Sequence, residues 1–209
     1  MKATTVILAA GDFPKKGGAA WQLLAAATRV VACDSAAAAY RRHFRKWPTV
    51  IVGDMDSVGG PRFRAAAHAA AEVVRIPDQE TNDLEKAMAL CARRGWRAPV
   101  IVGATGKRED HTIGNVFRAL AARLPIVSDF GTFYPVCGKK TLRTQKGQAV
   151  SVFAPDPRTR MTSKGLVWPL DGVCLKRLYT ATLNRAAGKT VTVTSDRPVT
   201  VYVEAEDAR

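Results

Sequence analysis

The feature that most constrains this chain is an alternation that runs through its first 124 residues and then stops. Short β-branched runs at 5–8, 29–33, 49–52, 72–76 and 99–102 are separated by Ala-rich stretches at 21–28, 35–44, 61–71 and 84–94. Strand and helix alternating at this spacing predict βαβ units and a parallel sheet. The runs are continuously apolar, as expected for strands covered by helices on both faces. Beyond Leu124 the helical period disappears and Thr, Val, Gly and Pro dominate. Segments 148–153, 191–194 and 199–203 alternate apolar with polar residues, the pattern of half-buried antiparallel strands. Ser195-Asp196-Arg197-Pro198 reads as a turn between the last two. The expected architecture is therefore an α/β domain over 1–125 followed by a small all-β domain, sandwich- or barrel-like, over 126–209. Segment 125–146 carries the weakest pattern.

Composition removes several classes. A hydrophobic fraction of 47% and a charged fraction of 24% are ordinary globular values. No apolar run approaches the roughly 18–20 residues that span a bilayer, so no membrane segment is expected. Lys2 followed by Val6-Ile7-Leu8-Ala9-Ala10 imitates a signal peptide, but the run is short and Gly11-Asp12-Phe13-Pro14 reads as a loop after a strand. Cys33, Cys91, Cys137 and Cys174 are far apart, with no C-x-x-C pair, so neither zinc nor a disulfide framework is expected. Four reduced, mostly buried thiols and a cytoplasmic location are the expectation. The net charge of +14 raises a nucleic-acid partner, but Arg and Lys are dispersed and no aromatic platform interleaves them. No nucleic-acid partner is expected, and the excess also suits a small polyanionic substrate.

Carboxylates gather where strands end. Asp34 follows 29–33, Asp54 and Asp56 follow 49–52, Asp78 and Asp83 follow 72–76, and Asp110 follows 99–102. In an open parallel sheet the carboxyl ends form one edge, where ligands bind. Hard oxygen ligands suit Mg²⁺. Taken singly, an Asp at a strand end is more often a turn former or helix cap. Asp54 and Asp56 form a stronger pair, since an extended Met55 would send both side chains the same way. Asn82 and Glu85 read as a capping box for a helix whose buried stripe is Leu84, Ala87, Met88 and Cys91. Asp83 lies in its first turn, where it either serves the helix start or binds a ligand.

The third segment runs Gly103-Ala104-Thr105-Gly106-Lys107-Arg108-Glu109-Asp110-His111 into a helix with Ile113, Val116, Phe117, Leu120 and Leu124 as its buried stripe. A glycine-bearing loop before a helix N-terminus is a ready phosphate site. Lys107 and Arg108 reinforce it. His111, Asn115 and Arg118 share a second, polar face.

Together these segments resemble the thiamine pyrophosphokinase family. The matching text is Gly53-Asp54-Met55-Asp56-Ser57, then Asp78-Gln79 and Thr81-Asn82-Asp83-Leu84-Glu85-Lys86-Ala87, then Gly103 through Thr112 with Asn115. It continues at lower strength through Asp129-Phe130-Gly131-Thr132-Phe133, Ser163-Lys164-Gly165-Leu166 and Leu183-Asn184. The resemblance implies an α/β catalytic domain, a β domain that binds thiamine and dimerises, and a homodimer with shared active sites. It implies that Asp54, Asp56 and Asp83 hold Mg²⁺ with Asp34 close by. It further implies that Gln79, Thr81, Arg108, Asp110, His111 and Asn115 organise ATP beside the loop of Gly103, Thr105, Gly106 and Lys107. Thr182, Leu183 and Asn184 would lie near thiamine, with Trp168 stacking on one of its rings. Four departures stand out. Met55 replaces a common Phe or Leu, Asp34-Ser35-Ala36 replaces Asp-Gly-Gly, Lys107 replaces a frequent Gly, and Leu183 replaces a Ser.

The expected reaction is a direct displacement: the thiamine hydroxyl attacks the β-phosphorus of ATP and AMP leaves. Alignment and charge neutralisation carry such transfers. Asp110 or Asp34 would accept the hydroxyl proton, and the sequence leaves both open. Two rivals stand beside this reading, a pyrophosphokinase acting on another hydroxymethyl heterocycle such as a pterin, and a basic nucleotide- or nucleic-acid-binding module without turnover.

Overall fold

The computed structural model describes residues 4–55, 60–78 and 80–206, which fall into two compact units, one up to Arg118 and one from Ala119. No helix among the described residues is long and apolar enough to cross a membrane.

The first unit is built on five parallel strands: β1 (Thr5–Leu8), β2 (Arg29–Cys33), β3 (Val50–Gly53), β4 (Glu72–Arg75) and β5 (Val100–Val102). Their order is β5-β1-β2-β3-β4, with Ile7 in register with Val31 on one side and Ile101 on the other. Val6, Ile7, Leu8, Val31, Ile51 and Ile101 are wholly buried, which is why the runs of β1, β2, β3 and β5 read as apolar. β4, at the sheet edge, departs from that expectation, with Glu72 and Arg75 exposed. The chain steps outward from β1 to β4 and then returns to place β5 on β1's other side. The strand order therefore reverses at β1, and a crevice belongs at the carboxyl ends there.

Five helices connect these strands or follow them: α1 (Ala19–Ala26), α2 (Ala36–Phe44), α3 (Pro61–Ala70), α4 (Asp83–Arg93) and α5 (Glu109–Ala121). α4 starts with the expected capping box, Asn82 Oδ1 accepting from the Glu85 N–H at 2.9 Å and Glu85 Oε2 accepting from the Asn82 N–H at 3.3 Å. Leu84, Ala87, Met88 and Cys91 form its buried stripe, as the spacing predicts.

The second unit is antiparallel. Its strands are β6 (Ile126–Val127), β7 (Gly131–Arg143), β8 (Ala149–Phe153), β9 (Arg160–Lys164), β10 (Asp171–Cys174), β11 (Ala181–Arg185) and β12 (Thr190–Glu204). β12 pairs with β7 along nearly its whole length, while its other edge pairs first with β9 and then with β8. One continuous core results, with Val150, Val152, Val191, Val193, Val199 and Val201 wholly buried. Two expectations are corrected here. Ser195-Asp196-Arg197-Pro198 is not a turn between two strands but a bulge inside β12: Ser195 faces Gly138 and Val199 faces Val136, so three residues oppose the single Cys137. Pro198 has no N–H to give the ladder, and Gly138 adopts φ 80°, so both strands deform together. The four free thiols are also not mostly buried. Cys33 and Cys91 are buried, whereas Cys137, opposite the bulge, and Cys174 are exposed.

Candidate functional site

At the carboxyl ends of β1 and β5 two loops are laced together. The Ala9 N–H donates to the Val102 carbonyl at 2.9 Å, Gly11 to Gly103 at 2.7 Å and Asp12 to Thr105 at 2.8 Å. Such close backbone approach needs glycine: at Gly103 (φ 65°) a Cβ would lie 2.9 Å from the Ala9 carbonyl oxygen, and at Gly106 (φ 79°) it would collide with the Asp12 carboxylate. The Lys107 ammonium reaches across to the Ala10 carbonyl at 2.8 Å.

These loops border a cavity of about 320 Å³ in the first unit. Asp34 and Cys33 reach it from the end of β2, and Asn82 and Asp83 from the start of α4. Gly106, Lys107 and Arg108 come from the loop after β5, and His111 and Asn115 from α5. Asn115 is buried and keyed in place. Its Nδ2 donates to the Ala104 carbonyl at 2.9 Å, and its Oδ1 accepts from Asn82 Nδ2 at 3.4 Å.

The carboxylates differ in setting. Asp34 is buried, and its N–H donates to the Val52 carbonyl at 2.9 Å. A Cβ on Gly53 would lie 2.9 Å from Asp34 Cβ and 3.1 Å from Asp83 Oδ1, so both side chains lean over bare backbone. Burial pushes the Asp83 carboxyl above its usual range against the pull of the Lys86 ammonium 3.4 Å away, and the Asp54 charge adds to the rise. Asp110, exposed and outside the cavity lining, is held by Nη2 and Nε of the Arg108 guanidinium at 2.6 and 3.1 Å, which lowers it to about 2.

An oxygen-only donor set of this kind suits a hard divalent cation, and Mg²⁺ commonly takes one or two carboxylates with phosphates and water completing its shell. Among the described residues no group of three His, Cys, Asp or Glu comes together. Asp56, the third expected ligand, and Gln79 lie outside the described residues. Met55 is not extended: its φ of 69° is left-handed, so an extended backbone does not align Asp54 with its neighbour two residues on. Thr81 stands apart from the cavity lining, its hydroxyl bonded to Asp78. Gly103 and Thr105 support the lining without joining it.

Lys86, to which the sequence motifs give no role, is a lysine buried within α4 against Asp83. Its position three residues after Asp83 on a helix was the available signal.

In the second unit Trp168 is 58% exposed and Leu183, at φ 64°, is 85% exposed. Asn184 is buried and spends its amide on backbone. Oδ1 accepts from the Trp168 and Arg185 N–H groups at 3.2 and 2.8 Å, and Nδ2 donates to the Trp168 carbonyl at 2.7 Å. The Thr182 hydroxyl donates to the Tyr179 carbonyl at 2.9 Å. Asn184 thus fixes the backbone of Trp168, leaving the indole outside.

Comparison with known proteins bears on both units. Residues 20–127 match the family model described as thiamin pyrophosphokinase, catalytic domain, and residues 131–202 match thiamin pyrophosphokinase, substrate-binding domain. Thiamin pyrophosphokinase 1 of Caenorhabditis elegans is 29% identical over 96 residues, covering 42% of this chain and only 38% of that protein. The fold is shared with a thiamine pyrophosphokinase from Bacillus subtilis (TM-score 0.76, 16% identity, 98% of this chain and 100% of that one). It is shared also with a family protein from Enterococcus faecalis (TM-score 0.79, 14% identity, 98% and 100%) and with the Candida albicans enzyme (TM-score 0.78, 12% identity, 99% and 94%). Matched by the family's models in both units, the chain belongs to the thiamin pyrophosphokinase family.

Proposed function

We propose that this chain transfers the pyrophosphoryl group of ATP to the hydroxyl of thiamine, giving thiamine diphosphate and AMP. The observation that carries the reading is the cavity at the strand-order reversal, where Asp34 and Asp83 face a glycine loop and helix N-terminus bearing Lys107 and Arg108. Asp54 and Asp83, with Asp56, would hold Mg²⁺, which when bound neutralises phosphate charge and orients the transferring group. Asn115 and His111 border the space for the nucleotide, beside the N-terminus of α5. Arg108, exposed at the rim, is free to exchange Asp110 for phosphate oxygens.

In the displacement the hydroxyl oxygen bonds to the β-phosphorus, and the bond from that phosphorus to the α–β bridging oxygen breaks. That oxygen leaves on AMP, and the hydroxyl proton passes to a carboxylate. Asp34 lines the cavity whereas the exposed Asp110 lies outside its lining, which favours Asp34 as acceptor. We assign ATP and Mg²⁺ to residues 1–125, and thiamine to 126–209 with Trp168 as the stacking group. The same reading makes the protein a cytoplasmic homodimer with shared active sites, the β domain forming its interface.

The test is AMP release from ATP and Mg²⁺ with and without thiamine, the organic product being identified by mass. Thiamine-dependent AMP together with thiamine diphosphate is the expected result. AMP formed only with another acceptor overturns the substrate, and no AMP with any acceptor overturns the reaction. Sedimentation as a monomer at assay concentration would remove the shared site.

A further inference from the structure

A second cavity, of about 200 Å³, lies in the β unit and takes no part in the reaction proposed above. The bulge in β12 creates the opening. Three residues of β12 oppose Cys137 alone, so the ladder is interrupted there, and Pro198 and Cys137 both face the gap. The single carboxylate of the bulge, Asp196, is occupied elsewhere, accepting from the Arg160 N–H at 2.9 Å.

The lining is cationic. Among the described residues Arg123, Lys139 and Lys140 all contribute, no acidic side chain does, and none of the three is ion-paired with a carboxylate. Lys140 is half-buried. Its ammonium has the Pro135 carbonyl at 3.4 Å and the Tyr134 ring at 5.4 Å, and burial pulls it below the usual lysine range. Arg123 occupies a left-handed position (φ 57°) just past the end of α5, where glycine is ordinarily favoured. The carbonyls of that helix end do not compete for the cations. Leu120 accepts from the Arg123 N–H at 3.1 Å and Ala119 from the Leu124 N–H at 2.9 Å. Like charges held together in a partly apolar recess repel one another, and a bound anion relieves that repulsion.

We propose that this cavity is a binding site for a compact multivalent oxyanion of the phosphate or diphosphate class, held by Arg123, Lys139 and Lys140. Its size excludes a nucleotide-sized ligand from full entry, and its three cations match a di- or trianion.

Cys137 supplies a local reporter, because an anion in the cavity covers its thiol and disfavours the thiolate that reacts. The whole chain is alkylated with iodoacetamide at constant ionic strength without Mg²⁺, inorganic pyrophosphate is titrated in, and the Cys137 and Cys174 peptides are followed by mass. By mass action, pyrophosphate at ten times its dissociation constant slows Cys137 about tenfold. Saturable slowing of Cys137 with Cys174 unchanged is the expected result, and Arg123→Gln and Lys140→Gln should each shift the titration to higher concentration. No slowing in millimolar pyrophosphate overturns the proposal. Equal slowing of both cysteines does so too, as does protection that survives in a folded Arg123→Gln, Lys139→Gln, Lys140→Gln variant. The comparison of the two cysteines in the unaltered chain decides even where a variant fails to fold.

Discussion

The two units place their polar residues in different ways. In the α/β unit they stand where strands stop: Asp34 immediately after β2, Asp54 after β3, and the glycine loop after β5. The backbone core ends at those points, so these side chains leave the sheet while the sheet carries the stability. In the β unit Asn184 lies within β11 and Trp168 is tied to it, so the same side chain that would set a substrate surface also satisfies half-buried backbone. Substitution of Asp54 should therefore alter rate and spare the fold, whereas substitution of Asn184 should touch both.

The largest effect should come from Asp54→Asn: turnover falls about 100-fold, by loss of charge stabilisation, with little change in melting temperature. Steady-state kinetics beside a melting curve checks this, and a large loss of stability would break the contrast. Next, Asn184→Ala should lower unfolding free energy by about 2 kcal/mol in a urea titration, since it strands the Trp168 N–H and carbonyl. A variant as stable as the parent would show that the β unit does not depend on this amide. Trp168→Ala removes a mostly exposed ring, so the midpoint should hold while the thiamine KM rises about tenfold, the scale of one lost aromatic stacking contact. An unchanged KM would remove Trp168 from the substrate surface. The smallest effect is expected at Leu183, where Leu183→Gly relieves a left-handed backbone and should raise stability by about 1 kcal/mol if the site tolerates the added freedom of the unfolded chain. A loss of similar size would mean that the exposed leucine is packed against something in solution.

The same contrast governs what was readable in the sequence. β1 and β2 fall where the apolar runs predict, and Asp34 and Asp83 sit at the edge those runs define, because a strand end in a parallel sheet is a local event. The capping box was equally local. β7 was not legible: Pro135 and Gly138 interrupt it, and its burial does not alternate. The bulge of β12 reads in sequence as a turn because Ser-Asp-Arg-Pro has turn chemistry. Only the register against Gly138 shows the strand continuing. The backbone role of Asn184 depends on a loop sixteen residues away, and the left-handed Met55 on a conformation that methionine rarely adopts. None of these leaves a mark in spacing or hydropathy.

The pairing of β12 also sets an order of events during synthesis. Until it leaves the ribosome, β7, β8 and β9 each have an open edge, and an open edge is a template for pairing with another chain. The α/β unit needs nothing from β12 for its own sheet, whose strands are all made earlier. A nascent chain thus passes through an interval in which one half can be native while the other remains sticky. Slow translation of β12 would lengthen that interval, and chaperone demand should fall as soon as β12 is free to pair.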